Sequence, residues 1–491
     1  MTELPNIPTS GPPRGAAALG CAPSNSPDCD RAFKTDKFLR RRGIVLFLIC
    51  LSVLVAAIAY HHHDVVQVSE EAVIRAGVGS DLLNGLSEGR QGLVGSLVWA
   101  PLPTLVGLPL VYVPRLGASS LAWPLIGAVV SAFTVVLLNR WLREAGLHWL
   151  IRYPVLLAYQ LSPPVLAAVL AGSSALLLLA FLVALVHFLH HWLTTLDVRS
   201  LAYVGVLSGL AVVTDWRTIL LVALVLIVVF LRLRGHVNLL PLRQKGFTRA
   251  ALLIFLVPGL YLVAVWLLSN WLIMGNPVSF LKGLLGNTSL LPARWYSGFA
   301  WHLYLLAPLL LLLALLHARF VDTPRLALRL FSILLMAVLV LSPFLLQLTS
   351  RASYFDLYPQ RVRTVDEIIS FLEDRYPNSR VLVDGYYGYL FRARAHRQDL
   401  FVHSINLSLP EVDHRTHGKE LFILLPRPEG LRSWEDIYLS HPGLFSDYED
   451  YRVRDGEFSA AFVFEERWLL DDGRPQWLLL RVVLRRVGQS S

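Results

Sequence analysis

Residues 40–60 read RRRGIVLFLICLSVLVAAIAY: three arginines, then Gly43 to Tyr60 without a single charge. Wound as a helix at about 1.5 Å per residue, the uncharged part is about 27 Å long, close to the roughly 30 Å of a bilayer's hydrocarbon core. Ala57 and Ala59 have the spacing of a signal-peptide cleavage site. The apolar run is too long for a secretory leader, however, and a long tail precedes it, so it reads as an uncleaved anchor with its N-terminus in the cytoplasm. The tail, residues 1–42, is rich in Pro, Gly, Ser and Ala and holds no apolar period. Such a composition cannot bury a core, and a disordered cytoplasmic segment is expected.

The rest of the chain extends the same pattern. Of 491 residues 55% are apolar and 16% charged, with a mean hydropathy of +0.54. Soluble domains carry about a quarter charged residues, so a soluble globular protein is excluded. The net charge of +9 would suit a nucleic-acid binder, but the excess collects in short loops between apolar runs, as the positive-inside rule expects. No nucleic-acid partner is expected; the surrounding lipid is. Three cysteines, two in the tail and Cys50 inside the first apolar run, make neither a disulfide framework nor a CxxC metal site.

Eight further spans are expected at about 119–139, 153–171, 175–193, 200–213, 218–233, 250–269, 301–316 and 327–348. The loops 140–152, 232–249 and 317–329 are basic and fall on the cytoplasmic side in this count. Residues 97–114 are apolar but carry Pro101, Pro103, Pro109 and Pro114. They are read as a re-entrant or juxtamembrane element on the outer face, where proline-broken backbone can find protein or water partners. The fold class is thus an α-helical polytopic membrane protein of about nine transmembrane helices, with a membrane domain over 43–348. Past Gln347 the composition changes: 22 acids and 19 bases lie between 349 and 491. A helix-like run at 365–376 and strand-like runs at 380–384, 400–403, 420–425, 461–465 and 477–483 predict an extracytoplasmic α/β domain. It shows no GxGxxG, P-loop or GxSxG pattern.

The membrane region keeps nine acids, and five of them lie in the first outer loop, 61–96: Asp64, Glu70, Glu71, Asp81 and Glu88. The adjacent Glu70-Glu71 pair places carboxylates at the membrane surface, where one can work as a general base. The outer cations are few: Arg75, Arg90, Lys282 and Arg294, with Arg115 and Arg217 at span ends. Lys282 and Arg294 are the candidates for holding phosphate, because the loop 270–300 has no acid to neutralise them. Trp295 and Tyr296 beside them also suit plain interface anchoring. Asp215 and Arg217 interrupt an apolar region and are candidates either for substrate contact or for a structural pair. His61 to His63 are consecutive and cannot all face one ion; His187, His190 and His191 sit near a cytoplasmic end.

The order of basic tail, single span, Ser69-Glu-Glu-Ala72 and the Pro-rich Trp99-Ala-Pro-Leu-Pro-Thr-Leu105 resembles the GT-C glycosyltransferases. Within them it is most similar to the branch of dolichyl-phosphate-mannose mannosyltransferases and RgtA-like enzymes. Leu161-Ser-Pro-Pro164 with Ala171-Gly-Ser-Ser174, Gly209-Leu-Ala-Val-Val-Thr214, and Asn270-Trp-Leu-Ile-Met-Gly-Asn-Pro277 agree in order, so the likeness covers roughly residues 40–350. It departs in two places: the acidic pair is Glu-Glu where Asp is commoner, and Gly172-Ser173-Ser174 of the second outer loop offers no acid. A divalent metal shared between two loops is therefore unsupported, and no cofactor is expected.

The resemblance implies an inverting transferase in a plasma membrane or bacterial inner membrane. It would move a sugar from a polyprenyl-phosphate donor to a lipid, glycan or protein acceptor on the outer face, with Glu70 or Glu71 as base. A GT-C-derived scaffold without catalysis is the alternative. A transporter fits less well, because the acids gather in one loop and no internal repeat is present. Reporter fusions should read cytoplasmic at 140–152 and 232–249 and external after Gln347; an outward-facing Arg143 would instead make 97–114 a membrane crossing.

Overall fold

The computed structural model describes residues 43–60, 69–95, 100–113, 121–144, 146–237, 245–278, 354–384, 387–397, 399–404, 420–426, 451–455, 458–469 and 475–486. Among these, four helices are long and apolar enough to cross a membrane. They belong to α1 (Gly43–Tyr60), α5 (Ala122–Glu144), α8 (Ala175–Thr195) and α11 (Lys245–Met274). The expected spans at 301–316 and 327–348 lie outside the described residues.

On α1 the buried residues are Cys50, Leu54 and Ile58, four apart, while Ile44, Leu48, Ile49 and Val53 are exposed. One stripe meets the bundle and the remaining apolar surface suits lipid. The stripe joins a core in which α5 (Ala128, Ala132, Val135) and α8 (Leu179, Val183, Val186) are the central helices. In a bilayer apolar surface alone gives helices little reason to associate, so close packing must do it. One close backbone crossing is between α9 (Val198–Thr214) and α11: a Cβ added at Gly205 would lie 2.1 Å from the Phe255 carbonyl oxygen.

The span expected over 153–171 contains a break. The segment is two helices, α6 (Trp149–Gln160) and α7 (Pro163–Ala171), and the apolar pair bends by 44°. Pro163 and Pro164 have no N–H to continue α6, and they start a new helix instead. The 17-residue α9 is followed by a 3-10 turn (Trp216–Thr218) and α10 (Ile219–Val237).

Three helices lie between α1 and α5 in the chain: α2 (Glu70–Leu83), α3 (Ser87–Val94) and α4 (Pro101–Val111). The prolines that argued against a span are compatible with α4, because Pro101 and Pro103 stand in its first turn, where no intrahelical donor is needed. Eleven residues make about 16 Å, too short to cross a bilayer.

Towards the C-terminus, α12 (Tyr354–Arg375) and α13 (Tyr387–Arg394) accompany a six-stranded sheet. The strands are β1 (Arg380–Asp384), β2 (Phe401–Ser404), β3 (Leu421–Pro426), β4 (Tyr451–Asp455), β5 (Phe458–Leu469) and β6 (Pro475–Arg486). Their order is β2-β1-β3-β6-β5-β4, with β1 parallel to β2 and β3 and the other pairs antiparallel. Ile368, Leu372, Val381, Val383, Phe391, Phe422, Leu424 and Leu479 form its core. The edge strand β4 was not expected from the sequence.

Gly205→Val should therefore lower the thermal midpoint of the detergent-solubilised protein well beyond the effect of Val206→Ala on the neighbouring position, in line with overpacking costs of about 1–3 kcal/mol. An unchanged midpoint would mean that α9 and α11 do not cross at these glycines.

Candidate functional site

Ser69 starts α2 in extended backbone, and its Oγ accepts the Ala72 N–H at 3.2 Å. Glu70 and Glu71 consequently fall in the first turn, where the helix dipole favours negative charge. One turn on, the Arg75 Nε donates to Glu71 Oε1 at 3.0 Å. The same guanidinium donates through Nη1 to the Ala100 carbonyl oxygen at 3.0 Å and to Thr104 Oγ1 at 3.1 Å. Arg75 is 2% exposed and Glu71 22%, so this is an inward-facing ion pair and not a surface one.

The turn between α7 and α8 closes the site. The Ser69 N–H donates to the Ala171 carbonyl oxygen at 3.1 Å, and the Ser174 N–H donates to Glu71 Oε1 at 3.4 Å. Gly172 ends α7 with φ +70, a left-handed conformation that a side chain resists. Its missing Cβ also leaves room for Trp123, whose Cβ would otherwise lie 2.6 Å away. That turn presents Ser173 and Ser174 at the start of α8. A groove beside them is lined by Pro103, Trp123, Ile126, Gly172, Ser173 and Ser174. The Trp123 Nε1 is buried and has no hydrogen-bond partner among the described residues.

Both bonds to Glu71 fall on Oε1; Oε2 takes none from the described residues. The arrangement is therefore a carboxylate held through one oxygen, by Arg75 and by the amide of Ser174, a residue that also lines the small groove.

On its opposite face α2 meets α13. Asp81 is buried and accepts a hydrogen bond from Arg392 Nη1 at 3.4 Å. Burial pushes the Asp81 carboxyl above the usual carboxylate range, and the neighbouring Glu88 adds to this, while Arg392 and the Tyr389 hydroxyl pull the other way.

The site residues expected from sequence divide as follows. Glu71 is in the site, and Glu70 adjoins it on the backbone. Asp215 ends α9, and its carbonyl oxygen accepts from Thr218 N–H at 3.0 Å and Thr218 Oγ1 at 2.7 Å. Lys282, Arg294 and the side chains of Glu70 and Arg217 lie outside the described part. His187 stands 3.8 Å from Glu144, and His191 is 3.0 Å from Ser200 Oγ; among the described residues no three His, Cys, Asp or Glu side chains gather as metal ligands. Arg75, Thr104 and Ser174 were missed as site residues. The signal for Arg75 was present: Ser-Glu-Glu opens a helix, and Arg75 follows Glu71 at the i,i+4 spacing of helical ion pairs. Thr104 and Ser174 carry no such sign.

No family model and no curated protein matches the sequence. Among solved structures the chain is similar to the crystal structure of ArnT from Cupriavidus metallidurans bound to undecaprenyl phosphate, at 10% identity over 92% of this chain and 98% of that one. The TM-score is 0.37, too low for the likeness to establish a shared fold.

Replacing Arg75 by Met keeps its bulk but removes its donors to Glu71, Ala100 and Thr104. Lost hydrogen bonds to a charged group should cost about 1.5–3 kcal/mol, read as a lower thermal midpoint. Arg75→Lys should recover only part, since one ammonium cannot reproduce the planar fork.

Proposed function

We propose that this protein is a membrane glycosyltransferase of GT-C type, acting on a polyprenyl-phosphate-linked sugar. The observation that carries the reading is Glu71: a first-turn carboxylate held through Oε1 by Arg75 and by the Ser174 N–H, with no bond to Oε2 from the described residues. This follows the order of sequence elements that resembles the family, and a carboxylate is a side chain chemically suited to general-base work. In the reaction an acceptor hydroxyl attacks the anomeric carbon, a carboxylate of the Glu70-Glu71 pair takes the hydroxyl proton, and the lipid phosphate leaves from the opposite face with inversion. Lys282 and Arg294 are the proposed cations for the departing phosphate, in a loop that has no acid. Asp215 and Arg217 are proposed to line the substrate path. The second loop supplies the Ser174 N–H instead of an acid, which orients Glu71 and asks for no metal.

In this reading the N-terminal tail is cytoplasmic, and residues 349–491 stand outside the membrane, beside the acidic pair. The acceptor is a lipid, glycan or protein at the outer surface. One observation favours a second reading, a non-catalytic scaffold: an i,i+4 ion pair such as Glu71–Arg75 also serves to fasten helices.

Sugar transfer from a panel of polyprenyl-phosphate sugars, assayed in membranes, decides between them. General-base assistance contributes about 10² to 10⁴-fold, so at least one of Glu70→Gln and Glu71→Gln should lose about two orders of magnitude at unchanged expression. Activity surviving in the double variant would remove the pair from the mechanism, and no turnover in wild type across the panel would favour the scaffold.

A further inference from the structure

We infer that Arg392 and Tyr389 of α13 are positioning residues for the acidic turn of α2: by gripping α2 at Gly77 and Asp81 they fix where Glu71 stands against Ser174. The inference rests on the reading of Glu71 as part of the reacting site.

The two faces of α2 are held by different parts of the chain. Ala72 and Ala76 pack with Trp123, and Arg75 bonds to Ala100 and Thr104. On the other side Val73 packs on the core of the sheet, and Ile74 and Val78 pack with Tyr389. At Gly77 the approach is close: an added Cβ would lie 2.2 Å from Tyr389 Cδ1. One turn further, Arg392 bonds Asp81. A helix of 14 residues moves as a rod, so a contact at residues 77–81 sets the direction of its first turn. The first turn is held to α4 and to the turn before α8 by the three bonds of Arg75, by Ser69 N–H to Ala171 and by Ser174 N–H to Glu71, and the helix is held from its other face by Tyr389 and Arg392, so the position of Glu71 depends on both.

The two ends of the Arg392–Asp81 pair are unequal. Asp81 is 7% exposed and Arg392 35%, so removing the arginine takes a counter-charge from a buried carboxylate, whereas removing the carboxylate leaves a cation that water can reach. Among the described residues, charged and titratable groups facing Asp81 include Arg392 and Tyr389 of α13 and Glu88 of α3. Docking raises the affinity of Asp81 for a proton, so docking is favoured as the pH falls through its raised pKa and is weakened above it. Arg392 offsets that penalty, and without it the pH dependence should sharpen.

The test is hydrogen–deuterium exchange on the full-length protein in lipid nanodiscs, which needs no substrate. Arg392→Ala should raise exchange about tenfold in residues 70–76, which Arg392 does not touch, and acidification should restore protection after correction for intrinsic rates. Arg392→Lys should keep most of the protection, and Asp81→Asn should lose little. The Arg392→Ala/Asp81→Asn double variant should be nearly independent of pH. In the transfer assay Arg392→Ala should lower kcat with KM nearly unchanged. If exchange in Arg392→Ala rises only at 387–394 while 70–76 stay protected, the membrane helices alone place Glu71 and the inference is overturned. Should Arg392→Ala fail to fold, equal protection of 70–76 in Gly77→Ala and wild type would overturn it as well. Absence of any sugar transfer with the exchange result as expected would sink the glycosyltransferase reading and leave the positioning intact.

Discussion

The guanidinium of Arg75 is the group on which the arrangement of the outer face depends. Taking a charge out of water costs several kcal/mol, and the cost is met only where hydrogen bonds surround the ion in good geometry. Arg75 meets it with Glu71 from its own helix, a carbonyl at the entry to α4, and Thr104 within α4. Satisfying one buried cation therefore sets α2 against α4. It also aims Glu71 inward, where Oε1 reaches the Ser174 N–H of a loop about a hundred residues away.

The helix that carries these groups is covered on both sides. With 3.6 residues per turn, positions 72, 75, 76 and 79 share one face, and 73, 77 and 81 another. The first face meets the membrane helices, through Trp123 and the bonds of Arg75 and through the neighbourhood of Gly79 with Leu108 and Val111. The second meets α13 and the sheet core. A 14-residue helix with a mixed sequence has no isolated stability, and its order comes from being packed on two sides.

A loop without an acid still takes part in an acidic site. The resemblance to GT-C enzymes makes Gly172-Ser173-Ser174 look deficient, because the missing carboxylate is counted as a lost function. In the folded chain the loop contributes backbone instead: a left-handed Gly172 turns the chain, and the amide of Ser174 meets Glu71. Backbone donors are invisible to a search for chemical side chains, yet they orient a carboxylate as well as a side chain does.

The sequence by itself determined that this is a membrane protein, where many of its helices lie, and that five of the nine acids between residues 43 and 348 lie in residues 61–96. Hydropathy and charge are properties of short windows, and the bilayer acts on them directly, so Gly43–Tyr60, Ala122–Glu144 and Ala175–Thr195 were legible without any partner. The acidic pair was legible for the same reason, as two adjacent letters. Tertiary structure decided the strand order β2-β1-β3-β6-β5-β4, the meeting of Arg75 with Thr104 and that of Glu71 with Ser174. The last two join residues 29 and 103 positions apart. Their physical cause, the need to satisfy buried polar groups in one packed arrangement, exists only once the chain has closed on itself.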